Sequence, residues 1–234
     1  MEPNFSMKNI LLLPFLFIGL FTIAQTKEMT AEIKTINISF LTFDIATPVN
    51  PVAPRYRFGF NFPLNEAWRW SLDLGYGSEN TTFKQFVNND KDNYELYEGR
   101  TEVYHIFNPS YRVNMYISGE VYYINHQEEY RYDSYEQEHT GFRVYYDSAD
   151  LEREKYGFNL KYGVIVPFGN KVGMNAYIGA GPRIRDNVFS NVVGANTSNE
   201  YYEDEFGFLE LEFNEEGRNT GINLTFGVKF FYKL

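Results

Sequence analysis

Apolar and polar residues alternate through the last fourteen positions of the chain. Apolar side chains occupy every second position from Ile222 to Leu234, and the positions between them include Asn223, Gly227 and Lys229. A β-strand places successive side chains on opposite faces, so this pattern predicts a strand with one apolar and one polar face. A bilayer covers such an apolar face without further protein, provided that every strand edge is paired. The pattern therefore predicts one strand of a transmembrane barrel.

The same two-residue period recurs in seven further segments, three of them weaker than the rest. These segments are Ile33–Asp44, Tyr56–Phe62, Trp68–Tyr76, Glu98–Val113, Tyr116–Glu129, Phe158–Val166 and Val172–Ala180. With the terminal strand they make eight, and bacterial single-chain barrels have an even number of strands. Gly141–Asp147 also alternates, which we interpret as the outer half of the sixth strand. Phe208–Phe213 is interpreted as a similar external strand.

The connections between these segments alternate in length. Pro63–Ala67, Asn114–Tyr116 and Pro167–Lys171 are short, whereas three connections on the other side are long: Gly77–Tyr97, Asp133–Arg153 and Asp186–Gly217. Short turns at one end and long external loops at the other are typical of outer-membrane barrels. The sequence thus predicts an all-β fold, a closed antiparallel transmembrane β-barrel of eight strands in an up-and-down meander. The alternative is a soluble barrel or sandwich with its apolar faces inside.

The first residues resemble a secretory signal. Lys8 precedes the apolar run Ile10–Ala24, which is shorter than the roughly 20 residues of a membrane-spanning helix. We expect cleavage after Ala24, which gives a signal peptide at 1–24 and a single barrel domain with long external loops at 25–234. A retained N-terminal anchor is the alternative, and Met7 is a second possible start.

Composition narrows the function classes. Aromatic residues make up 19% of the chain, which suits the aromatic girdles of a barrel. The formal net charge of −10 argues against nucleic acid as a partner. The chain has no cysteine, so a disulfide framework and a thiolate metal site are excluded.

The end of the chain carries a recognisable motif. Thr225, Gly227, Phe230 and Tyr232 fit a polar–x–Gly–x–x–aromatic–x–aromatic pattern, with Leu234 at the position where a terminal phenylalanine is common. The chain resembles the outer-membrane β-barrel domain (porin-family) proteins of Gram-negative bacteria, of the small OmpX/OmpW-like size. This resemblance implies location in the cell outer membrane, contact with its lipid, and assembly by the barrel assembly machinery, which reads this motif. It implies a fold and no particular activity.

The inward parity of the strands carries more bases than acids. The bases are Arg55, Arg57, Arg69, Arg112, Lys161, Arg183, Arg185 and Lys229, and the acids are Asp73, Glu102 and Glu120. Side chains fill an eight-stranded barrel, so one interpretation is a plugged, salt-bridged interior. The other is an anion-binding vestibule at the external end, formed by Arg55, Arg57, Arg183 and Arg185.

Candidate chemistry is sparse. His126 lies near the top of the fifth strand, and Ser118 is too far along that strand to bond it, so no catalytic residue is assigned. The last loop is rich in carboxylates without calcium-loop spacing, and a solvated loop is the default interpretation. Its acids are Glu200, Glu203, Asp204, Glu205, Glu210, Glu212, Glu215 and Glu216. We expect no cofactor and no metal.

The sequence favours a non-enzymatic outer-membrane barrel with a structural or surface-interaction role. Its acidic, tyrosine-rich external loops would be the working surface, with an extracellular partner that the sequence does not identify. A small-solute passage or ligand-binding barrel is the first alternative, because glycines on the inward face can leave a lumen. A lipid-modifying outer-membrane enzyme is the second.

Overall fold

Nine antiparallel strands make up most of the described chain. A computed structural model describes residues 37–50, 52–81, 92–138, 140, 142–201 and 215–234. The strands are β1 (Phe40–Asp44), β2 (Tyr56–Pro63), β3 (Trp68–Ser78), β4 (Asp92–Ile106), β5 (Asn114–Glu136), β6 (Phe142–Pro167), β7 (Val172–Val193), β8 (Asn196–Tyr201) and β9 (Gly217–Lys233). The predicted signal peptide and the predicted strand Phe208–Phe213 lie outside the described residues.

Eight of these strands close into a barrel. Strands β1 to β7 pair antiparallel in chain order, and β9 pairs with both β7 and β1. At the closing seam Phe43 faces Phe230, and on the other side of β9 Ile178 faces Phe226. The predicted closed up-and-down meander is confirmed. Strand β8 lies outside the circuit and pairs with β6.

The short connections lie together at one end of the barrel, here called the turn end; the opposite end is the loop end. They span residues 64–67, 107–113 and 168–171. The predicted turn at Asn114–Tyr116 is wrong, because these residues begin β5. The Asn108 side chain shapes the actual turn: its Nδ2 donates to the Val113 carbonyl at 2.9 Å, and its Oδ1 accepts from the Met115 amide at 2.7 Å.

Strands β5 and β6 continue far beyond their neighbours at the loop end. The interpretation of Gly141–Asp147 as the outer half of the sixth strand is confirmed for the described residues Phe142–Asp147, since β6 begins at Phe142. The long loop predicted between Asp133 and Arg153 is accordingly wrong in most of its length. Strand β5 pairs with β4 as far as Glu129 and then continues with β6 alone to Glu136.

The tip of this β5–β6 hairpin curls over the loop end. Glu136 lies seven residues beyond Glu129, about 24 Å along an extended strand. Its carbonyl nevertheless accepts from the Glu216 amide at 2.9 Å, immediately before β9 begins. The bend coincides with Tyr132, whose φ of 52° lies in the left-handed region that non-glycine residues rarely adopt.

The two strands change their buried parity at this bend. Before it, even-numbered residues of β5 such as His126 and Glu128 are buried; after it, Tyr135 is buried. A small apolar cluster fills the curl, with Tyr135 stacked on Phe189 of β7 at 4.4 Å. Its buried members are Tyr135, Val144, Tyr146, Ala149, Leu151 and Phe189. The curled hairpin therefore covers the loop end of the lumen.

The barrel has its apolar side chains outside and its charged side chains inside. Phe226 is 68% exposed on the outer face of β9, whereas Lys229 of the same strand is 2% exposed and points inward. Among the described residues, no helix is long and apolar enough to cross a membrane.

Candidate functional site

The charged interior is the candidate functional site, because strand alternation directs titratable side chains from almost every strand into one narrow space. Glu98 of β4 receives hydrogen bonds from three arginines. Arg55 Nε and Arg100 Nε each lie 2.5 Å from its carboxylate, and Arg57 Nη1 lies 3.4 Å away. Arg100 also donates to Glu120 at 2.7 Å. One buried carboxylate thus holds three guanidinium groups at the loop side of the network.

Two lysines complete the network below it. Lys161 pairs with Glu120, and its Nζ lies 3.2 Å from Glu102. Lys229 Nζ lies 3.0 Å from both carboxylate oxygens of Asp73 and 3.7 Å from Glu102. The side chains of these five residues are at most 2% exposed. Each charge is therefore matched within a desolvated interior.

Tyr177 of β7 links this network to β1. Its hydroxyl donates to Asp44 at 2.9 Å and accepts from Arg57 at 2.8 Å, while Asp44 also pairs with Arg57. A Cβ on Gly227 would lie 2.5 Å from the Tyr177 hydroxyl oxygen. The glycine on β9 therefore makes room for the tyrosine that joins the two sides of the barrel.

The central network is electrically balanced. It contains five bases, Arg55, Arg57, Arg100, Lys161 and Lys229, and five acids, Asp44, Asp73, Glu98, Glu102 and Glu120. Removing one partner from such a buried set leaves an uncompensated charge, which costs about 3–5 kcal/mol. These groups act together as a polar plug across the lumen.

An aromatic cluster closes the turn end below the plug. Phe40 of β1 stacks on Phe231 of β9 with ring centroids 4.4 Å apart. The Arg69 guanidinium lies 4.1 Å from the Phe40 centroid and donates to the Ile38 carbonyl at 2.7 Å. The other buried members are Tyr104, Ile106, Tyr116, Ile165 and Tyr177.

A second group of bases lies above the plug, at the loop end. This basic cluster consists of Arg153 and Lys155 of β6 with Arg183 and Arg185 of β7. Lys155 Nζ donates to the Asn223 side-chain oxygen at 2.9 Å, Arg153 Nε donates to Asn187 at 2.8 Å, and Arg185 lies 3.4 Å from Glu215.

The surroundings of the cluster are desolvated. Burial lowers the pKa of Arg153; Tyr130 and Glu128 oppose this shift, and Arg183 adds to it. Burial also raises the pKa of Tyr130 to about 12, with a further contribution from Glu128. His126 Nε2 lies 3.0 Å from Glu128, so the histidine is engaged by a carboxylate.

The four arginines expected to form a vestibule occupy two different environments. Arg55 and Arg57 are held in the plug by Glu98 and Asp44. Arg183 and Arg185 instead lie with Arg153 and Lys155, which the sequence reasoning did not include. Arg112, expected inside, is exposed in a turn at the turn end, where it donates to the Pro167 carbonyl at 3.5 Å.

Sequence reasoning also missed two acids of the plug. Glu98 lies within the predicted segment Glu98–Val113 and shares the parity of Glu102 on β4, so the alternation already places it inside. Asp44 is the last residue of β1 and has the parity of the buried Phe40 and Thr42. Both were accessible from the sequence pattern alone.

The residues of the proposed assembly motif lie on both faces of β9 and, for Leu234, directly after it. Phe230, Tyr232 and Leu234 are exposed on the outer face. Gly227 lies inside against Tyr177, and Thr225 shares its parity. These positions are those required of a strand that meets lipid on one side and the plug on the other.

The described residues show little further chemistry. Ser118 donates to Glu102 at 2.6 Å inside the plug, and His126 bonds Glu128 on the same strand. Within the described ranges, no group of three or more His, Asp or Glu side chains is placed to hold a metal ion. Glu203, Asp204, Glu205, Glu210 and Glu212 of the acidic last loop lie outside those ranges.

Comparison with known proteins adds a structural likeness to a solved structure. No family model matches the sequence, and a search of curated proteins found no match. Among solved structures, the chain is similar to CarO of Acinetobacter baumannii, with a TM-score of 0.42 and 11% identity. The alignment covers 87% of this chain and 100% of the CarO chain.

Proposed function

We propose that this protein is an integral outer-membrane β-barrel of the small OmpX/OmpW-like kind, with a non-enzymatic structural or surface-interaction role. The observation that carries the proposal is the inverted distribution of side chains. Large apolar residues cover the outside, whereas ten charged residues form ion pairs inside. In water this arrangement would expose the apolar surface, and in a bilayer it satisfies both faces.

The apolar residues form a continuous belt around the barrel. Exposed members from all eight barrel strands include Leu41, Phe58, Leu72, Val103, Val121, Leu160, Ile178, Ile222, Leu224 and Phe226. On β9 the belt runs from Ile222 to Tyr232, about 33 Å along the strand at roughly 3.3 Å per residue. A tilt of about 40° reduces this to a height of about 25 Å, the height of a barrel's apolar band.

Aromatic residues mark the loop-end border of the belt. Tyr76, Tyr97 and Tyr123 are exposed there on consecutive barrel strands, and the Tyr76 and Tyr97 rings lie 5.4 Å apart. The Tyr123 hydroxyl donates to Glu154 at 2.7 Å, so the ring is apolar below and polar above. This is the chemistry of a residue at the headgroup level.

The closed interior favours a surface role over solute passage. The plug, the aromatic cluster at the turn end and the curled hairpin lie one above another along the lumen. In contrast, the β5–β6 hairpin extends beyond the belt and carries accessible side chains, including Tyr132 with 85% exposure. We assign the interaction surface to this hairpin, with outer-membrane lipid and the barrel assembly machinery as further partners.

The experiment is fractionation of cells that express the full chain. We expect removal of residues 1–24, recovery in the outer-membrane fraction, and gel migration that changes on heating, since closed barrels resist unheated detergent. Recovery of the mature chain in the soluble periplasmic fraction would contradict the proposal.

A further inference from the structure

A line of backbone irregularities crosses the neighbouring strands β5, β6 and β7 at the loop end. On β5 it passes through Tyr132 and on β7 through Asn191, each with a φ of 52°. Between β6 and β7 the register shifts between Ser148 and Asp150. Arg131, next to Tyr132, pairs with Ser148, so these irregularities lie at one level. The three strands therefore bend along a common line.

The segments beyond this line form a small three-stranded sheet, here called the lid. It consists of residues 133–136 of β5, residues 142–147 of β6, and β8. Gly194, with a φ of 69°, separates β7 from β8. Strand β6 changes its partner there, because it pairs with β7 below the line and with β8 above it. The lid therefore has a hydrogen-bond ladder of its own and joins the barrel through bent strands.

The closed position of the lid carries two internal costs. Tyr132 is held in the left-handed region, where a bulky residue persists only if the surrounding structure fixes it. The Tyr146 hydroxyl has no hydrogen-bond partner in the described part of the chain, although Tyr146 is only 4% exposed. A buried hydroxyl without a partner has lost its hydrogen bonds to water. Lifting the lid would relieve both costs.

Contacts between the lid and the barrel oppose these costs. Tyr135 of the lid stacks on Phe189 of the barrel wall, with ring centroids 4.4 Å apart and ring planes 9° apart. The Glu216 amide donates to the Glu136 carbonyl at 2.9 Å. The Glu138 amide donates to the Glu216 carboxylate at 3.4 Å. The closed position therefore depends on the aromatic stack and on hydrogen bonds at the rim.

We propose that the lid is a hinged cover, which pivots at Tyr132 and at Asn191–Gly194 and lifts off the loop end of the lumen. Hinges concentrate the change in φ and ψ in a few residues at the ends of regular elements. A lifted lid uncovers the apolar side chains of Val144 and Tyr146. The plug lies below the lid and keeps its ion pairs, so opening gives access to the loop end without creating a channel. The hinge goes beyond the surface role of the hairpin and does not depend on it.

The test is pulsed electron paramagnetic resonance on the full chain refolded in detergent micelles. The chain has no cysteine, so nitroxide labels attach only at introduced cysteines. The first pair, Glu138→Cys with Thr220→Cys, measures the distance from the rim of the lid to β9. The second pair, Glu138→Cys with Asn196→Cys, measures a distance between the rim and β8 of the lid.

Two variants should open the lid. Tyr135→Ala removes the stack on Phe189, and it should raise the ratio of longer to shorter distances in the first pair at least about tenfold. Tyr132→Pro should give the longer distance alone, because proline fixes φ at about −65°. In both variants the second pair should keep the parent distance, since the lid moves as one body.

Tyr145→Ala is the matched control, because it removes an exposed tyrosine of the lid that takes no part in the stack. It should leave the distance ratio within about twofold of the parent value. Heat-modifiable migration shows that each variant has a folded barrel. Parent distances in folded Tyr135→Ala and Tyr132→Pro would overturn the proposal, as would equal lengthening in Tyr145→Ala. Broadening of the second pair together with the first would also overturn it, because the lid would then unfold instead of pivoting.

Discussion

A charge at the middle of the outer belt tests the membrane assignment most directly. Phe226 lies between Ile222 and Tyr232 on β9, near the midpoint of the belt, and its side chain is 68% exposed. An arginine on the lipid face costs about 2–4 kcal/mol at the bilayer midplane and about 0–1 kcal/mol near the interfaces. Phe226→Arg should therefore lower the folding equilibrium in lipid by about 30-fold to about 1000-fold.

Thr220→Arg is the matched control on the same strand and the same face, beyond the end of the belt. We expect it to cost at most about 1 kcal/mol, because the new side chain reaches the aqueous interface. The measurement is urea unfolding in lipid vesicles, followed by heat-modifiable migration. Equal unfolding midpoints for Phe226→Arg and Thr220→Arg would refute the claim that this face meets lipid.

Three further predictions address assembly, the plug and conductance. Phe230→Asp should insert less well than Asn223→Asp, because it places a charge on the outer face of the belt, whereas Asn223 faces inward; equal assembly in cells would refute the facing assignment. Lys229→Met should lower the free energy of unfolding in urea by about 3–5 kcal/mol, because it leaves the buried Asp73 carboxylate without its cationic partner. Adding Asp73→Asn should recover most of that loss. Refolded protein in planar bilayers should show no stable channels, and porin-like conductance would restore the solute-passage alternative.

The strand pattern was readable from the sequence because lipid and lumen select opposite residue types at alternating positions. That selection is strong wherever one face is fully apolar, as on β9, and the closed meander follows from eight such strands. The alternation does not predict where each strand ends, because hydrogen bonds within the connection determine that position. The Asn108 side chain hydrogen-bonds to Val113 and Met115 across its turn. Strand β5 consequently begins at Asn114, within the segment that the sequence predicted as a turn.

From the sequence, the interior could be predicted only as a set of inward-facing residues, without the partner of each residue. Parity identifies Arg57, Lys161 and Lys229 as inward, but their partners depend on the stagger between strands that are distant in sequence. Lys229 meets Asp73 across 156 positions of the chain. The curl of the β5–β6 hairpin was also hidden, since a single left-handed residue, Tyr132, reverses which parity is buried.

The shortest strand lies where the two ends of the barrel meet. Strand β1 has five residues, Phe40–Asp44, and its ladders with β2 and β9 each contain five residue pairs. Its two flanks therefore have fewer ladder hydrogen bonds to break than the long β5–β6 wall opposite. Parts of a protein that are held by fewer contacts and hydrogen bonds open locally more often than the rest. Amide hydrogen exchange should therefore begin at Leu41 and Phe43. We expect this seam to be the first part of the barrel to open and the last to close.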